Sequence, residues 1–160
     1  MRMSRRNFCA LGAAGAVFGT ATNGAGRHVL LTVSGNVDGG SVTFDREALR
    51  ALDWREVSTF TSFTEGSQTF AGPTLASVLA AVAAKGGQIH ATAINDYTVT
   101  FPLSDAEEFD ILLAMDHNGR AMRVRDKGPI WIVYPMSEDQ SEDRVHDAEM
   151  IWQLDRLIVE

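Results

Sequence analysis

The sequence predicts one α+β domain in which short strands outnumber a few short helices. Three observations support this class. Short runs rich in β-branched residues recur along residues 28–160, separated by glycine, asparagine and aspartate. Residues 73–86 have the period of about 3.6 residues that marks an amphipathic helix. Finally, Asn118-Gly119 joins two apolar runs in the manner of a tight hairpin turn.

The predicted domain begins with two strands, a short helix and a third strand. Residues 28–37 (HVLLTVSGNV) form a strand that stops at a Gly-Asn turn. Residues 42–44 form a second strand before Asp45, whose carboxylate suits the N-cap of a short helix. Residues 57–64 (VSTFTSFT) have the composition of a strand, and a turn is expected to begin at Gly66.

The amphipathic helix within residues 73–86 is the clearest helical signal. Its apolar residues follow the spacing i, i+3, i+4 and i+7, at Leu75, Val78, Leu79 and Val82. Pro73 suits the first helical position, where a missing backbone N–H costs nothing. Gly86 suits the residue that ends the helix.

Two more strands and a short helix follow. Residues 88–94 (QIHATAI) and 97–103 (YTVTFPL) are expected to pair around a turn at Asn95-Asp96. Ser104 and Glu107 have the spacing of a capping box, which predicts the start of a short helix.

The last third of the domain is predicted to be mostly strand. The hairpin at Asn118-Gly119 would place three cations on one face of its returning strand, namely Arg123, Arg125 and Lys127. Residues 130–135 (IWIVYP) are apolar on both faces, which indicates a buried central strand. Residues 149–160 (EMIWQLDRLIVE) end the chain as a strand.

Residues 1–27 have the composition of an export signal that precedes the domain over residues 28–160. A basic start leads into an apolar run at residues 8–18 and then into small residues that suit cleavage. The run is shorter than the ~20 residues that span a bilayer. Residues 4–8 (SRRNF) resemble the twin-arginine export motif. We therefore expect a periplasmic protein, with an ordinary secretory signal as the alternative to twin-arginine export.

The predicted domain is strongly acidic and free of cysteine. Residues 1–27 hold four of the 14 basic side chains and none of the 21 acidic ones, which leaves residues 28–160 with a net charge of −11. Such a charge disfavours nucleic acid and anionic membranes as partners, and no membrane insertion is expected once the signal is removed. Because Cys9 is the single cysteine, the domain has neither a disulfide nor a thiolate ligand.

No motif for nucleophilic catalysis or tight metal binding is present, so no catalytic and no metal-binding residue is predicted. The sequence lacks a G-x-S-x-G elbow. The four histidines lack metal-ligand spacing: His28, His90, His117 and His146. The acidic run at residues 138–149 is expected to be a solvated loop; a weak cation site or a docking surface for a basic partner is its alternative.

Six segments in order resemble the molybdopterin-binding domain of the sulfite oxidase family. They comprise SGNV, FAGPTLASVLAAV, INDYTVTFPL, ILLAMDHNGRAM, KGPIWIVYP and IWQLDRLIV, and they cover most of residues 28–160. The resemblance implies the same fold, a mixed and strand-dominated sulfite-oxidase-like domain with a few short helices.

The chain departs from that family where the enzymes bind molybdenum. In the enzymes a cysteine binds the metal from the segment that matches residues 59–64, where this chain has Thr-Phe-Thr-Ser-Phe-Thr. A threonine hydroxyl stays protonated near neutral pH and does not replace a soft thiolate. Trp131 stands where the enzymes carry an arginine. The retained fold without its metal ligand predicts a pocket for a pterin that holds no metal.

The sequence is also similar to small exported proteins that use this fold to bind a reduced pterin. In that group, the pterin-loaded protein regulates a membrane-bound cyclic-di-GMP enzyme or sensor kinase from the periplasm. The resemblance implies a regulatory protein that is not an enzyme, with metal-free reduced pterin as its ligand and the periplasmic domain of a membrane signalling protein as its partner. Two alternatives remain: an oxidoreductase that holds the molybdenum cofactor with atypical ligation, and a scaffold that binds only protein.

Nine residues are candidates for contacts with the pterin. A carboxylate can accept two parallel hydrogen bonds from the aminopyrimidinone edge, and an aromatic ring can cover the pterin face. The candidate acceptors are Asp96 and Asp126. The candidate stacking groups are Phe63, Tyr97, Trp131 and Tyr134, and the candidate polar contacts are Thr61, Thr64 and Asn95.

Overall fold

A computed structural model describes residues 28–160, which form eleven strands, four short α-helices and one 3-10 helix. The strands are β1 (Leu31–Gly35), β2 (Ser41–Phe44), β3 (Trp54–Thr59), β4 (Gln68–Pro73), β5 (Gln88–Ala93), β6 (Thr98–Pro102), β7 (Leu112–Ala114), β8 (Asp116–His117), β9 (Arg120–Ala121), β10 (Trp131–Val133) and β11 (Leu154–Val159). The α-helices are α1 (Arg46–Arg50), α2 (Leu75–Ala81), α3 (Asp105–Glu108) and α4 (Glu138–Glu142), and the 3-10 helix spans Val124–Asp126.

A five-stranded sheet in the order β2-β1-β11-β5-β6 forms one half of the domain. Strands β1 and β11 are parallel, and the other neighbouring pairs are antiparallel. Alternation along each strand sends apolar side chains to one face, where Leu31, Ile89 and Leu157 are buried together with Leu75 and Val78 of α2. The opposite face is polar and carries a row of paired residues: Thr43, Thr32, Arg156, Thr92 and Thr98.

Two smaller sheets form the other half. One has the order β3-β4-β8-β9, and the other pairs β7 with β10. Gly72 of β4 allows the close approach of β7, because a Cβ at this position would lie 2.0 Å from the backbone oxygen of Leu113. A second apolar cluster fills this half around the fully buried side chains of Phe70 and Trp131.

Much of the predicted secondary structure is confirmed. The carboxylate of Asp45 caps α1 by accepting from the backbone N–H of Ala48 at 2.8 Å. Asn118 and Gly119 adopt φ angles of 49° and 74°, as a type I′ hairpin turn requires. The α+β class is also confirmed, because eleven strands outnumber four short α-helices.

Several local expectations were wrong. Pro73 ends β4 instead of opening the helix, and the hydroxyl of Thr74 caps α2. The third strand stops at Thr59, so residues 60–67 form a loop. Ser104 makes no side-chain capping bond, although α3 follows it.

Two further expectations failed in the last third of the domain. The returning strand of the hairpin is only the two residues of β9, so Arg123, Arg125 and Lys127 lie in and beside the 3-10 helix instead. The acidic run was expected to be a loop, but it contains α4. This helix is stabilised at its start by a capping box, in which Ser137 and Gln140 each accept from the other's backbone N–H.

The predicted export signal at residues 1–27 lies outside the described residues. Within residues 28–160, no helix combines the length and the apolar character needed to cross a bilayer.

Candidate ligand-binding site

Three segments enclose a cavity of about 370 Å³, called the aromatic cavity below. The loop at residues 60–67 forms one side, the turn between β5 and β6 a second, and residues 147–153 before β11 the third. The cavity is lined by Phe63, Ala93, Asn95, Tyr97, Asp147, Ala148, Met150, Ile151, Trp152 and Gln153.

Phe63 and Trp152 form an aromatic corner of this cavity. Their ring centroids are 5.2 Å apart and their planes are nearly perpendicular, at 83°. Both rings pack against Trp131, with centroid distances of 6.2 Å and 6.3 Å. Trp131 is fully buried, and its indole N–H donates to the backbone oxygen of Met150 at 3.0 Å. Phe63 and Trp152 are therefore supported by a buried core residue, and their rings offer two aromatic surfaces to a ligand.

The turn between β5 and β6 supplies Asn95 and Tyr97. The side-chain oxygen of Asn95 accepts from the backbone N–H of Tyr97 at 3.2 Å, and Asp96 between them has a φ of 64°. This Asx-type bond stabilises the turn and leaves the Tyr97 side chain 56% exposed. Asp96 itself points to Arg156, whose guanidinium donates to its carboxylate.

Polar groups of the cavity-lining residues remain available for a ligand. One oxygen of Asp147 accepts from the Ser62 hydroxyl, and the amide nitrogen of Gln153 donates to the backbone oxygen of Val124 at 2.8 Å. Within residues 28–160, no partner is found for the second Asp147 oxygen, the Gln153 side-chain oxygen, the Asn95 amide nitrogen or the Tyr97 hydroxyl. Together they offer acceptors and donors beside two aromatic surfaces.

A second cavity lies on the other side of the same loop and is called the hydroxyl cavity below. It measures about 310 Å³, and its lining includes Thr61, Ser62, Thr64, Glu138 and Glu142. The hydroxyl oxygens of Thr61 and Thr64 are 2.8 Å apart, so the two threonines bond each other. The predicted polar contacts Thr61 and Thr64 thus line a different cavity from Phe63.

Asp126 and Tyr134 lie away from both cavities. Asp126 lines a third cavity of about 600 Å³ with Arg120 and Arg123. Its carboxylate accepts from Arg123 Nε at 2.8 Å, and this bond lowers the pKa of Asp126. Tyr134 is fully buried and stacks on His146 with ring centroids 4.3 Å apart. Burial, and secondarily the charge of Asp105, raises the pKa of Tyr134.

The structure therefore brings three of the nine predicted residues to one cavity: Phe63, Asn95 and Tyr97. Thr61 and Thr64 line the hydroxyl cavity, Asp126 lines the third cavity, Asp96 is paired with Arg156, and Trp131 and Tyr134 are buried in the core.

Three polar or aromatic lining residues are not among the sequence candidates: Asp147, Trp152 and Gln153. Asp147 belongs to the acidic run expected to be solvated, and Trp152 belongs to the expected final strand. One sequence signal could have indicated Trp152 as a lining residue. This tryptophan lies just before the buried strand β11 and not within it.

The residues of the aromatic cavity do not form a metal site. Within residues 28–160, no group of three or more histidine, cysteine, aspartate or glutamate side chains is placed to bind a metal ion. No cysteine is present in that range to supply the thiolate that molybdenum takes in the enzymes.

Comparison with known proteins identifies the fold. No protein-family model and no curated protein matches the chain. Among solved structures, the sulfane dehydrogenase SoxCD from Paracoccus pantotrophus is similar, with a TM-score of 0.63 and 20% sequence identity. The match covers 81% of this chain but only 37% of that chain. The predicted molybdopterin-binding domain-like fold is confirmed by this likeness, which at 20% identity shows the fold alone.

The expectation that the chain is not an enzyme is contradicted by the same comparison. The structure that it resembles belongs to a dehydrogenase, so absence of activity does not follow from the fold.

Proposed function

We propose that the aromatic cavity binds the ring of a reduced pterin that carries no metal. The observation that carries this proposal is the perpendicular pair of Phe63 and Trp152 beside the free carboxylate oxygen of Asp147. A flat polar heterocycle can lie against one ring while its edge bonds the carboxylate. The cavity volume of about 370 Å³ is at the lower end of the ~300–1,000 Å³ typical of ligand sites.

The lining chemistry supports an unphosphorylated ligand. Asp147 is the only charged residue among the ten that line the cavity. An aminopyrimidinone edge donates hydrogen bonds, so it complements a carboxylate, whereas a phosphate beside Asp147 would be repelled by it. Lys127, whose ammonium contacts the two rings, is not among the lining residues. The intact molybdenum cofactor, with its phosphate and metal, therefore does not fit the aromatic cavity.

Calorimetric titration of the full chain with 7,8-dihydroneopterin tests this proposal. We expect saturable binding at one site, and binding at least tenfold weaker for 7,8-dihydroneopterin triphosphate because of the Asp147 charge. Absence of heat and of any ligand-induced change in tryptophan fluorescence would falsify the proposal. Preference for the triphosphate would contradict the electrostatic part of it.

A second candidate is an oxidoreductase that holds molybdopterin with unusual ligation. The fold-level likeness to a sulfane dehydrogenase favours it. Elemental analysis of the purified chain separates the two candidates, since stoichiometric molybdenum would support the oxidoreductase and its absence would remove it.

We further propose that the pterin-loaded chain acts in the periplasm on a membrane signalling protein, either a cyclic-di-GMP enzyme or a sensor kinase. Exposed apolar side chains around the cavity support a docking surface that includes the ligand. Tyr97 and Trp152 line the cavity and are 56% and 38% exposed. Ile94 and Val124, 51% and 53% exposed, each hydrogen-bond Gln153 through their backbones. Such a contiguous apolar rim is typical of a protein interface.

Crosslinking in intact cells tests the signalling proposal. We expect a membrane protein with a periplasmic segment to be captured, and Ile94→Ser to reduce its capture while leaving pterin affinity unchanged. Equal capture with and without pterin synthesis in the cell would contradict a pterin-dependent partner. Replacement of both Arg5 and Arg6 by lysine is expected to retain the chain in the cytoplasm if export uses the twin-arginine route.

A further inference from the structure

Lys127 places its ammonium inside a cage of three aromatic rings. The Nζ atom lies 4.6 Å from the ring centroid of Trp131, 5.3 Å from that of Trp152 and 5.7 Å from that of Phe63. All three distances are within the ~6 Å over which a cation is attracted to a ring face. Two of these rings, Phe63 and Trp152, are the aromatic corner of the cavity.

Hydrogen bonds tie Lys127 to both segments that carry those rings. Its Nζ donates to the backbone oxygen of Phe63 at 3.1 Å. Its backbone oxygen accepts from the N–H of Gln153, the residue after Trp152, at 3.1 Å. Lys127 thus adds a further link between two sides of the aromatic cavity, which the Ser62–Asp147 bond and the Phe63–Trp152 contact also join.

Two features make the position of the Lys127 ammonium energetically unfavourable: its backbone conformation and the partial burial of its charge. Lys127 has a φ of 71°, a left-handed conformation that residues other than glycine seldom adopt. Burial lowers the pKa of its ammonium, and no carboxylate within residues 28–160 forms an ion pair with it. A partly buried cation without an acidic partner draws part of its stabilisation from the rings and the Phe63 carbonyl.

We propose that Lys127 is a positioning residue that holds Phe63 and Trp152 in the orientation the ligand needs. The inference rests on the proposed pterin site. Trp131 is buried in the core, so the ammonium helps to hold the two less buried rings against a core residue. Without the ammonium, Phe63 and Trp152 keep only Trp131 as a common partner and can rotate into the cavity, which would narrow it.

Three variants of the full chain test this role. Lys127→Met keeps the length of the side chain and removes its charge, and Lys127→Arg keeps the charge. Lys85→Met is the matched control, because Lys85 is exposed and makes no side-chain bond within residues 28–160. The affinity for 7,8-dihydroneopterin, the indole N–H resonance of Trp152 and the thermal midpoint are measured for each variant.

We expect Lys127→Met to bind 7,8-dihydroneopterin at least tenfold more weakly and to shift the Trp152 resonance, with its thermal midpoint close to that of the wild type. Lys127→Arg should restore affinity to within about threefold of the wild type, and Lys85→Met should change none of the three measurements. Wild-type affinity in Lys127→Met would overturn the inference. Loss of binding that the arginine variant fails to restore, together with a lowered midpoint, would also overturn it, because the role would then be merely structural.

The resonance measurement keeps this inference separate from the proposed function. If the wild type itself ignores 7,8-dihydroneopterin, the proposed ligand is wrong, but the position of Trp152 can still be compared among the variants. A shift of its indole resonance in Lys127→Met alone would support the positioning role. An unchanged resonance would refute it.

Discussion

Residues 60–64 separate two cavities that are similar in size and opposite in chemistry. On one side Phe63 meets Trp152, with Asp147 as the only charge in the lining. On the other side Thr61, Ser62 and Thr64 meet the acidic helix α4. One short loop thus distributes its aromatic and hydroxyl side chains to different sites, and only the aromatic side offers surfaces on which a flat ring can stack.

This contrast shows how one short loop can give two neighbouring cavities different chemistry. The loop at residues 60–67 contributes Phe63 to one lining and hydroxyl side chains to the other. The hydroxyls of Thr61 and Thr64 bond each other, and that of Ser62 donates to Asp147. Phe63 packs against Trp152 and lines the aromatic cavity. The comparison leads to four predictions, given from the largest expected effect to the smallest.

Replacement of Trp152 by alanine should weaken 7,8-dihydroneopterin binding the most. Stacking of a heterocycle on an aromatic side chain contributes about 1–3 kcal/mol, which corresponds to a loss of roughly five- to 150-fold in affinity. Thr64→Ala, on the hydroxyl side of the same loop, is the control and should leave affinity unchanged. Calorimetric titration of both variants checks the contrast, and equal losses would contradict it.

Replacement of Asp147 by asparagine removes the one charge in the aromatic cavity. A hydrogen bond to a charged acceptor contributes about 1.5–3 kcal/mol. Asparagine keeps an acceptor oxygen, so we expect only part of this to be lost and affinity to fall about tenfold. The triphosphate form should bind Asp147→Asn relatively better, because the repulsion is removed. Glu142→Gln in the hydroxyl cavity is the matched control, and a similar loss there would mean that overall charge, not local contact, decides affinity.

Replacement of Ser62 by alanine tests the hydrogen bond between the loop at residues 60–67 and Asp147. Its hydroxyl donates to Asp147, so its loss frees the second carboxylate oxygen for the ligand or for water. Because Ser62 is exposed, we expect a change of less than about 1 kcal/mol, a few-fold in affinity. A change larger than that caused by Asp147→Asn would show that the loop conformation, and not the carboxylate, determines binding.

Replacement of Tyr134 by phenylalanine should leave ligand affinity unchanged and alter only the alkaline stability. The pKa of Tyr134 is raised in the folded state, mainly by burial. The native chain then holds this proton above pH ~10 while the unfolded chain releases it, so the free energy of unfolding falls as pH rises beyond ~10. Denaturant titrations at pH 8 and pH 11 should show a smaller decline for Tyr134→Phe. An equal decline would assign the alkaline loss to other groups.

The sequence predicted the fold better than the site. Alternating β-branched residues located β1, β5, β6 and β11, because a half-buried strand must alternate along its length. The Asn118-Gly119 pair located its turn, because few other residue pairs adopt two positive φ angles. These features depend on neighbouring residues only.

The structure brings part of the predicted site to one cavity, and the other candidates lie elsewhere for physical reasons. Trp131 has an aromatic ring suited to stacking, but β10 pairs with β7 and places this ring in the core. Asp96 and Asp126 have suitable carboxylates, but nearby arginines occupy them. Asp147 and Trp152 lie far in the sequence from Phe63, and no local pattern indicates that three loops will meet at one point.

By itself, the sequence determined the strand and turn pattern, the acidic charge and the absence of a thiolate from residues 28–160. Only the tertiary structure decided which aromatic residues line the cavity and which are buried in the core, because burial depends on the packing of segments that are distant along the chain. It also placed the Lys127 ammonium among three rings contributed by separate segments. Local patterns fix the conformation of the backbone, whereas the chemistry of a cavity is fixed by the side chains that long-range packing brings together.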